Sequence, residues 1–250
     1  LGKFVRELKH GSGLSPDQIQ IHTKYVPDLD LLSQVDFAYT EKIIDRSLKR
    51  LNREILDMVQ FHWWDYEVPG CIETAEYLVR LKEKGKIRNI SVTNFDTRHL
   101  KELVDAGIPV TTTQTQYSVF DRRPEKGYLE YCKGQGIPML CYGTLSGGFL
   151  AERWIGKRME EPETRSQVKY LQVIEDSLGW DGYQKLLKLV QGIAEKYQVG
   201  ISQVASKYIL SQEGVGAAII GIRNSRHVED NLKIFSFELE QEEIMEIRRF

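Results

Sequence analysis

Hydrophobic and polar residues repeat along the chain with two periods, one typical of strands and the other typical of helices. Short apolar runs alternate with stretches whose apolar residues recur every three to four positions. The runs predict six strands, at residues 19–24, 58–62, 89–94, 111–114, 139–145 and 217–220. A helix is predicted after each strand, and one more opens the chain. This alternation indicates a parallel sheet in a single α/β domain over residues 1–250.

Several of these strands end in a side chain that is able to hold a ligand. These side chains are Lys24, His62, Thr93 with Asn94, and Gln114. Each alone has an ordinary structural explanation, such as a surface lysine or a helix-capping asparagine. Their recurrence at successive strand ends predicts a common site, because parallel strands present their carboxyl ends at one edge. An open doubly wound sheet would carry a glycine-rich fingerprint after its first strand, and none is present, so a (β/α)8 TIM barrel is favoured.

Local signals predict where some helices begin and where regular structure lapses. The turn at residues 11–13 is expected to end the opening helix. Residues 149–181 lack a clear period and are predicted to form a long loop near the mouth of the active site. Side chains suited to capping precede three of the later helices: Thr40, Asp96 or Thr97, and Ser225.

Composition excludes several classes of protein. The net charge is −2 and the isoelectric point is about 6.3, so nothing favours nucleic acid or an anionic membrane as a partner. No apolar run reaches the roughly 18 residues that a membrane-spanning helix needs. Cys71, Cys132 and Cys141 are not spaced as metal ligands and are expected to be reduced thiols, which favours a cytoplasmic location.

Motifs in order along the whole chain resemble those of the aldo-keto reductases. The family's strand-end lysine and histidine runs are matched by residues 22–24 (HTK) and 56–63 (LDMVQFHW). Its other motifs are matched by residues 90–95 (ISVTNF), 113–117 (TQTQY), 142–148 (YGTLSGG) and 219–223 (IIGIR), followed by Asp230 and Asn231. Residues 63–65 (WWD) depart from the commoner pattern after the histidine, which changes the shape expected of the substrate pocket.

The resemblance implies a (β/α)8 barrel that reduces the carbonyl of a small aldehyde or ketone with NADPH. The catalytic set of the family is a tyrosine, a lysine, an aspartate and a histidine, and the resemblance assigns Lys24 and His62 to two of these roles. An ammonium lowers the pKa of a nearby phenol, and a neutral histidine is expected to donate a hydrogen bond to the carbonyl oxygen. The tyrosine and aspartate have no counterpart here, so about six of the eight strand–helix units are expected in this chain, without the N-terminal strands.

The resemblance also implies a cofactor site. Thr93, Asn94 and Gln114 match residues that hold the nicotinamide carboxamide, and Tyr142 matches the aromatic ring that stacks on the nicotinamide. Arg223 suits the adenosine 2′-phosphate, which favours NADPH over NADH. The remaining cofactor-binding candidates are Gly143, Thr144, Leu145, Ser146 and Gly148 at the pyrophosphate, and Gly221, His227, Asp230 and Asn231 in the tail.

Two other functions remain open. A non-catalytic NADPH-binding regulatory subunit, like the potassium-channel β-subunits of this fold, would retain the cofactor residues. A barrel without a ligand would leave the polar strand ends unexplained. No metal site is expected.

Overall fold

A computed structural model describes residues 1–8, 18–159, 161–162, 164–222 and 224–250. The turn predicted at residues 11–13 and the cofactor candidate Arg223 lie outside these residues. The chain divides into two compact units, Leu1–Gln114 and Thr115–Phe250. The prediction of a single domain stays a prediction.

The first unit alternates strands and helices, as predicted. In chain order it contains α1 (Gly2–Leu8), β1 (His22–Tyr25), α2 (Phe37–Leu51), β2 (Leu56–Phe61), α3 (Cys71–Glu83), β3 (Ile87–Thr93), α4 (Thr97–Asp105) and β4 (Val110–Gln116), whose last residues belong to the second unit. A 3-10 helix, Leu29–Gln34, follows β1. β1 begins later than predicted because the N–H of Ile21 donates to Asp57 Oδ2, at 2.9 Å, instead of to a neighbouring strand.

Parallel pairing brings the ends of these four strands into register. Lys24 is opposite Gln60 in the β1–β2 pair, and Thr93 is opposite Gln114 in the β3–β4 pair. Between them, β2 is buried along nearly its whole length, as expected of a central strand covered on both faces. His62 follows the last residue of β2, so the polar side chains predicted to share a site do reach one edge of the sheet.

Two of the predicted helix starts in this unit have different outcomes. Asp96 caps α4, since its Oδ1 accepts from the N–H of His99 at 2.9 Å, as predicted. The prediction for Thr40 is wrong: Asp36 caps α2 and accepts from the N–H of Tyr39 at 2.7 Å. Thr40 lies one turn inside the helix, where its buried hydroxyl is 2.9 Å from the hydroxyl of Tyr25.

The second unit contains the remaining two strands and most of the helices. Its elements are α5 (Tyr128–Gly134), β5 (Met139–Tyr142), α6 (Arg165–Ser177), α7 (Gly179–Tyr197), α8 (Ile201–Leu210), β6 (Val215–Ala218), α9 (Arg226–Leu232) and α10 (Gln241–Arg248). β5 and β6 pair in parallel. The described strands follow one another in the sheet in chain order, from β1 to β6. Six parallel strands with alternating helices agree with the predicted α/β class.

The prediction of a long irregular loop over residues 149–181 is wrong for a large part of that segment. α6 spans Arg165–Ser177, and a capping box between Thr164 and Gln167 starts it. Its buried face carries Gln167, Tyr170 and Ile174, only one of which is aliphatic, so the apolar period is weak. Ser225 does precede α9, but its side chain makes no capping hydrogen bond.

Three further predictions concern the whole chain. The three cysteines are free thiols, and burial raises the pKa of each to about 12. No helix among the described residues is long and apolar enough to cross a membrane. The same residues contain no cluster of acidic, histidine and cysteine side chains that is suited to a metal ion.

Candidate active site

The first unit assembles a hydrogen-bonded cluster around the predicted catalytic lysine. Lys24 Nζ donates to Gln60 Oε1 at 2.9 Å and also to Gln114 Oε1 in a short contact. Thr93 Oγ1 donates to the same Gln114 oxygen at 3.1 Å. Partial burial holds the pKa of Lys24 below its ordinary value. Among the described residues, the acceptors of this ammonium are therefore neutral carboxamides.

The ring of His62 is fixed by the neighbouring strand. Its backbone N–H donates to the carbonyl of Tyr25 at 3.0 Å, and its Nδ1 lies 3.0 Å from the carbonyl oxygen of Thr93. A carbonyl oxygen only accepts, so Nδ1 carries a proton and Nε2 of the neutral ring is an acceptor. In this tautomer the neutral ring presents Nε2 as an acceptor, and the expected donation from His62 to a substrate carbonyl stays a prediction.

The two tryptophans after His62 have different environments. Trp63 is buried in the core and its indole N–H donates to the carbonyl of Val68 at 3.2 Å. Trp64 is 52% exposed and stands edge-on to His62, with 4.8 Å between ring centroids. Its indole N–H donates to the carbonyl of Pro27 at 2.9 Å, which holds the ring beside the histidine. The departure from the family's pattern thus adds an exposed aromatic wall next to His62.

Two candidate cofactor residues adopt a left-handed backbone that is costly for any residue with a side chain. Asn94 has φ 58° and Ser146 has φ 48°. The other non-glycine residues with positive φ in the described chain, Asn52 and Gln198, are helix C-caps, where this conformation is common. Such strain tends to occur at functional positions. In Asn94 it is held by the N–H, which donates to the carbonyl of Gln114 at 2.9 Å.

In the second unit, α6 covers the turn that was predicted to approach the pyrophosphate. A Cβ atom on Gly143, which has φ 73°, would lie 2.5 Å from Tyr170 Oη, and one on Gly147 would lie 2.8 Å from Tyr170 Cδ2. The N–H groups of Ser146 and Gly148 are engaged within the turn, bonding the carbonyls of Gly143 and Leu145. The absence of side chains at these two glycines therefore makes room for Tyr170.

Other groups at this turn fit an anionic ligand. The hydroxyl oxygen of Thr144 is buried and has no partner among the described residues. The ammonium of Lys169 lies 4.8 Å from the ring centroid of Tyr142, and burial lowers the pKa of this lysine. An unsatisfied hydroxyl donor and, beside Tyr142, a cation are both groups that suit a cofactor phosphate. They fit the nicotinamide dinucleotide that the sequence resemblance implies.

The predicted adenosine contacts lie along the end of β6 and α9. Gly221 is exposed, and no atom lies within 4 Å of where its Cβ would be. His227 and Asp230 are exposed and Asn231 is half-buried. A hydrogen bond from Lys233, at 2.9 Å, lowers the pKa of Asp230. Arg223, the predicted 2′-phosphate ligand, is outside the described residues.

Sequence reasoning missed several of these side chains. Gln60 is a polar residue within the apolar run of β2, and that contrast was a usable signal. Thr164 and Gln167 match the sequence pattern of a capping box, which would have located α6 and hence Lys169 and Tyr170.

Comparison with known proteins decides the family. The Aldo/keto reductase family profile matches residues 1–250. The chain belongs to this family. Aldo/keto reductase YhdN of Bacillus subtilis is 30% identical over 255 residues, which cover 99% of this chain and 73% of YhdN. The NADH-specific methylglyoxal reductase of Escherichia coli is 26% identical, with 86% of this chain and 64% of that protein covered.

A solved structure of the thermostable aldo-keto reductase Tm1743 has a TM-score of 0.75 and 23% identity, covering 99% of this chain and 75% of that structure. This likeness confirms the predicted (β/α)8 class. The aldo-keto reductases are nicotinamide-dependent oxidoreductases of carbonyl groups, so membership also confirms the coarse function.

Proposed function

We propose that this aldo-keto reductase binds NADPH and uses the cluster of its first unit to reduce a small aldehyde or ketone. The observation that supports this most directly is the cluster of Lys24, Thr93 and Gln114, beside His62, at the ends of adjacent parallel strands. These side chains provide an ammonium, a hydroxyl, a carboxamide and an imidazole within one compact unit. That donor set suits both a carboxamide and a carbonyl that gains negative charge.

Each side chain has a distinct part in this proposal. When bound, the nicotinamide would supply the hydride, and the resemblance assigns the proton of the product alcohol to the family's tyrosine, which this sequence does not match. Gln114 and Thr93 hold its carboxamide, with Asn94 beside them. His62 orients the substrate carbonyl, with its Nδ1 held at the carbonyl oxygen of Thr93. Lys24 places a positive charge near the oxygen of the substrate carbonyl. Trp64 excludes water from one side of the substrate.

The candidate cofactor residues of the second unit keep, as part of this proposal, the roles that the sequence resemblance implies for them. Tyr142 has the role of stacking on a nicotinamide ring. Thr144 and the turn that holds Gly143, Leu145, Ser146 and Gly148 contact the pyrophosphate. Gly221, Arg223, His227, Asp230 and Asn231 contact the adenosine end. The preference for NADPH depends on Arg223, since the nicotinamide cofactor differs among family members, as the NADH-specific relative illustrates.

Direct binding tests this proposal. NADPH fluorescence should change when it is titrated with the protein. Gln114→Ala should weaken binding about two- to tenfold, because the loss of one hydrogen bond costs ~0.5–1.5 kcal/mol. Gln34→Ala is the matched control, because Gln34 is exposed at the end of the 3-10 helix. Absence of NADPH binding by the unmodified protein, or an equal loss in the two variants, would refute the proposed cofactor role.

A non-catalytic cofactor-binding role is the second candidate. It is supported by the tautomer of His62, because the neutral ring that bonds the Thr93 carbonyl through Nδ1 has no donor at Nε2. A panel of aldehydes assayed with NADPH between pH 6 and 8 distinguishes the two functions: cofactor binding without turnover at any of these pH values would favour the regulatory role. The three free cysteines, of which Cys132 and Cys141 are buried, support our inference of a cytoplasmic location, which fractionation of cells would test.

A further inference from the structure

Gln60 occupies an unusual position for a polar side chain. It lies in β2, where Met58, Val59 and Phe61 are all buried, and it is itself only 2% exposed. Side chains alternate along a strand, so Gln60 is on the same side of the sheet as His62, two residues further on. It is also directly opposite Lys24 in the β1–β2 pair.

Only one of the two polar atoms of the Gln60 carboxamide is satisfied. Oε1 accepts from Lys24 Nζ at 2.9 Å, and Nε2 is buried with no partner among the described residues. A leucine or methionine would fill this volume without burying an unpaired amide. The hydrogen bond to Lys24 therefore accounts for a polar side chain at this position, and it also sets the orientation of the amide.

The groups that accept hydrogen bonds from Lys24 are neutral. Two carboxamide oxygens, from Gln60 and Gln114, share the ammonium, and no ion pair of Lys24 occurs among the residues that the structure describes. A hydrogen bond to the ammonium favours its charged form, while burial disfavours it. A neutral acceptor offsets part of the effect of burial without the strong preference for the charged form that a carboxylate would impose. The protonation of Lys24 thus depends in part on the position of the Gln60 oxygen, together with the contact to Gln114 and the electrostatic interaction with His22 of the same strand.

We propose that Gln60 is a positioning residue for Lys24, which holds the ammonium at the strand end and sets how readily it loses its proton. This role rests on the proposed function only in so far as Lys24 takes part in catalysis. Gln60 itself touches neither substrate nor cofactor. Substitution of Gln60 should therefore change mainly the position and the protonation of Lys24.

The test measures the reactivity of Lys24 and needs no turnover. Lysines are acetylated competitively with acetic anhydride between pH 7 and 11, and the labelling of Lys24 is followed by peptide mass spectrometry. Lys101, an exposed residue paired with Asp105, is the internal reference. In Gln60→Met the midpoint of Lys24 labelling should move to lower pH, and in Gln60→Glu it should move to higher pH. A displacement of one pH unit corresponds to about tenfold in labelling rate below the midpoint.

Controls separate positioning from a merely structural role. Circular dichroism and thermal melting establish that each variant is folded, and Gln60→Asn, which keeps the amide but withdraws its oxygen, replaces Gln60→Met if that variant does not fold. A structural role predicts changed melting with Lys24 midpoints unchanged in all variants, and that result would overturn the proposal. NADPH titration of the unmodified protein is run in parallel. If the titration shows no NADPH binding, the proposed cofactor role fails, but the labelling result for Lys24 remains valid.

Discussion

The packing of Tyr170 against the glycine turn gives a prediction whose magnitude follows from the structure. Gly143 has φ 73°, so an alanine there bears the left-handed strain of an L-residue, ~1–2 kcal/mol. Its Cβ would also lie 2.5 Å from Tyr170 Oη and 3.0 Å from Tyr170 Cε1, in a buried contact. Overpacking of this kind costs a further ~1–3 kcal/mol. Gly143→Ala should therefore lower the free energy of unfolding by ~2–5 kcal/mol.

A matched glycine isolates the part due to Tyr170. Gly127 has φ 93° and no atom within 4 Å of its Cβ position, so Gly127→Ala bears the strain alone and should cost ~1–2 kcal/mol. The entropy that an alanine removes from the unfolded chain is similar at both positions and cancels in the comparison. The difference between the two variants measures the crowding against Tyr170 together with that against Gln116 Cγ, which would lie 3.1 Å from the new Cβ.

Urea unfolding followed by circular dichroism gives both free energies by linear extrapolation. The cost of Gly143→Ala should fall toward that of Gly127→Ala in a Tyr170→Ala background, as a double-mutant cycle requires of two groups in contact. Equal costs for the two glycines, or a cost at Gly143 that is unchanged without the tyrosine ring, would show that Tyr170 does not fill this space.

Three other predictions concern the site. His62→Ala should lower aldehyde turnover and leave NADPH affinity nearly intact, and loss of cofactor binding by a folded variant would contradict its assigned place beside the substrate. Arg223→Ala should weaken NADPH by ~1.5–3 kcal/mol, for a lost charged hydrogen bond, and NADH much less, which parallel fluorescence titrations would measure. The lowered pKa of Lys24 means that the unfolded chain binds more protons between that pKa and the ordinary value. The unfolding free energy of the unmodified protein relative to Lys24→Met should therefore rise with pH across this window, and urea titrations at pH 7 and 9.5 that show a fall would contradict it.

The parts of the fold that sequence predicted are those that a local period encodes strongly. Alternation and apolar runs located all six strands, and the order of motifs identified the family. Helix starts were less certain, because Asp36 and Thr40 are both good capping residues and only packing shows that Thr40 faces the hydroxyl of Tyr25. α6 was not predicted because its buried face contains a glutamine and a tyrosine, so the apolar period that marks a helix is weak there.

The site was predictable as a set of strand ends but not as a set of contacts. The sequence indicated that Lys24, His62, Thr93 and Gln114 come to one edge. It gave no reason to expect that the partner of the lysine is Gln60, since a hydrogen bond between side chains depends on strand register. The tautomer of His62 likewise could not be predicted from the sequence, because it depends on the position of the carbonyl oxygen of Thr93.

The hydrogen bond between Lys24 and Gln114 joins residues that are 90 positions apart in sequence, on β1 and β4 of the first unit. A contact between residues so far apart in sequence is expected to form slowly, and the Lys24–Gln114 contact needs both β1 and β4 in place. A ligand held by this cluster would bind only the assembled state and would stabilise it in proportion to the logarithm of its concentration above the dissociation constant. Binding of the cofactor and pairing of the strands would then be thermodynamically coupled. The cofactor would stabilise the folded state as well as take part in the reaction.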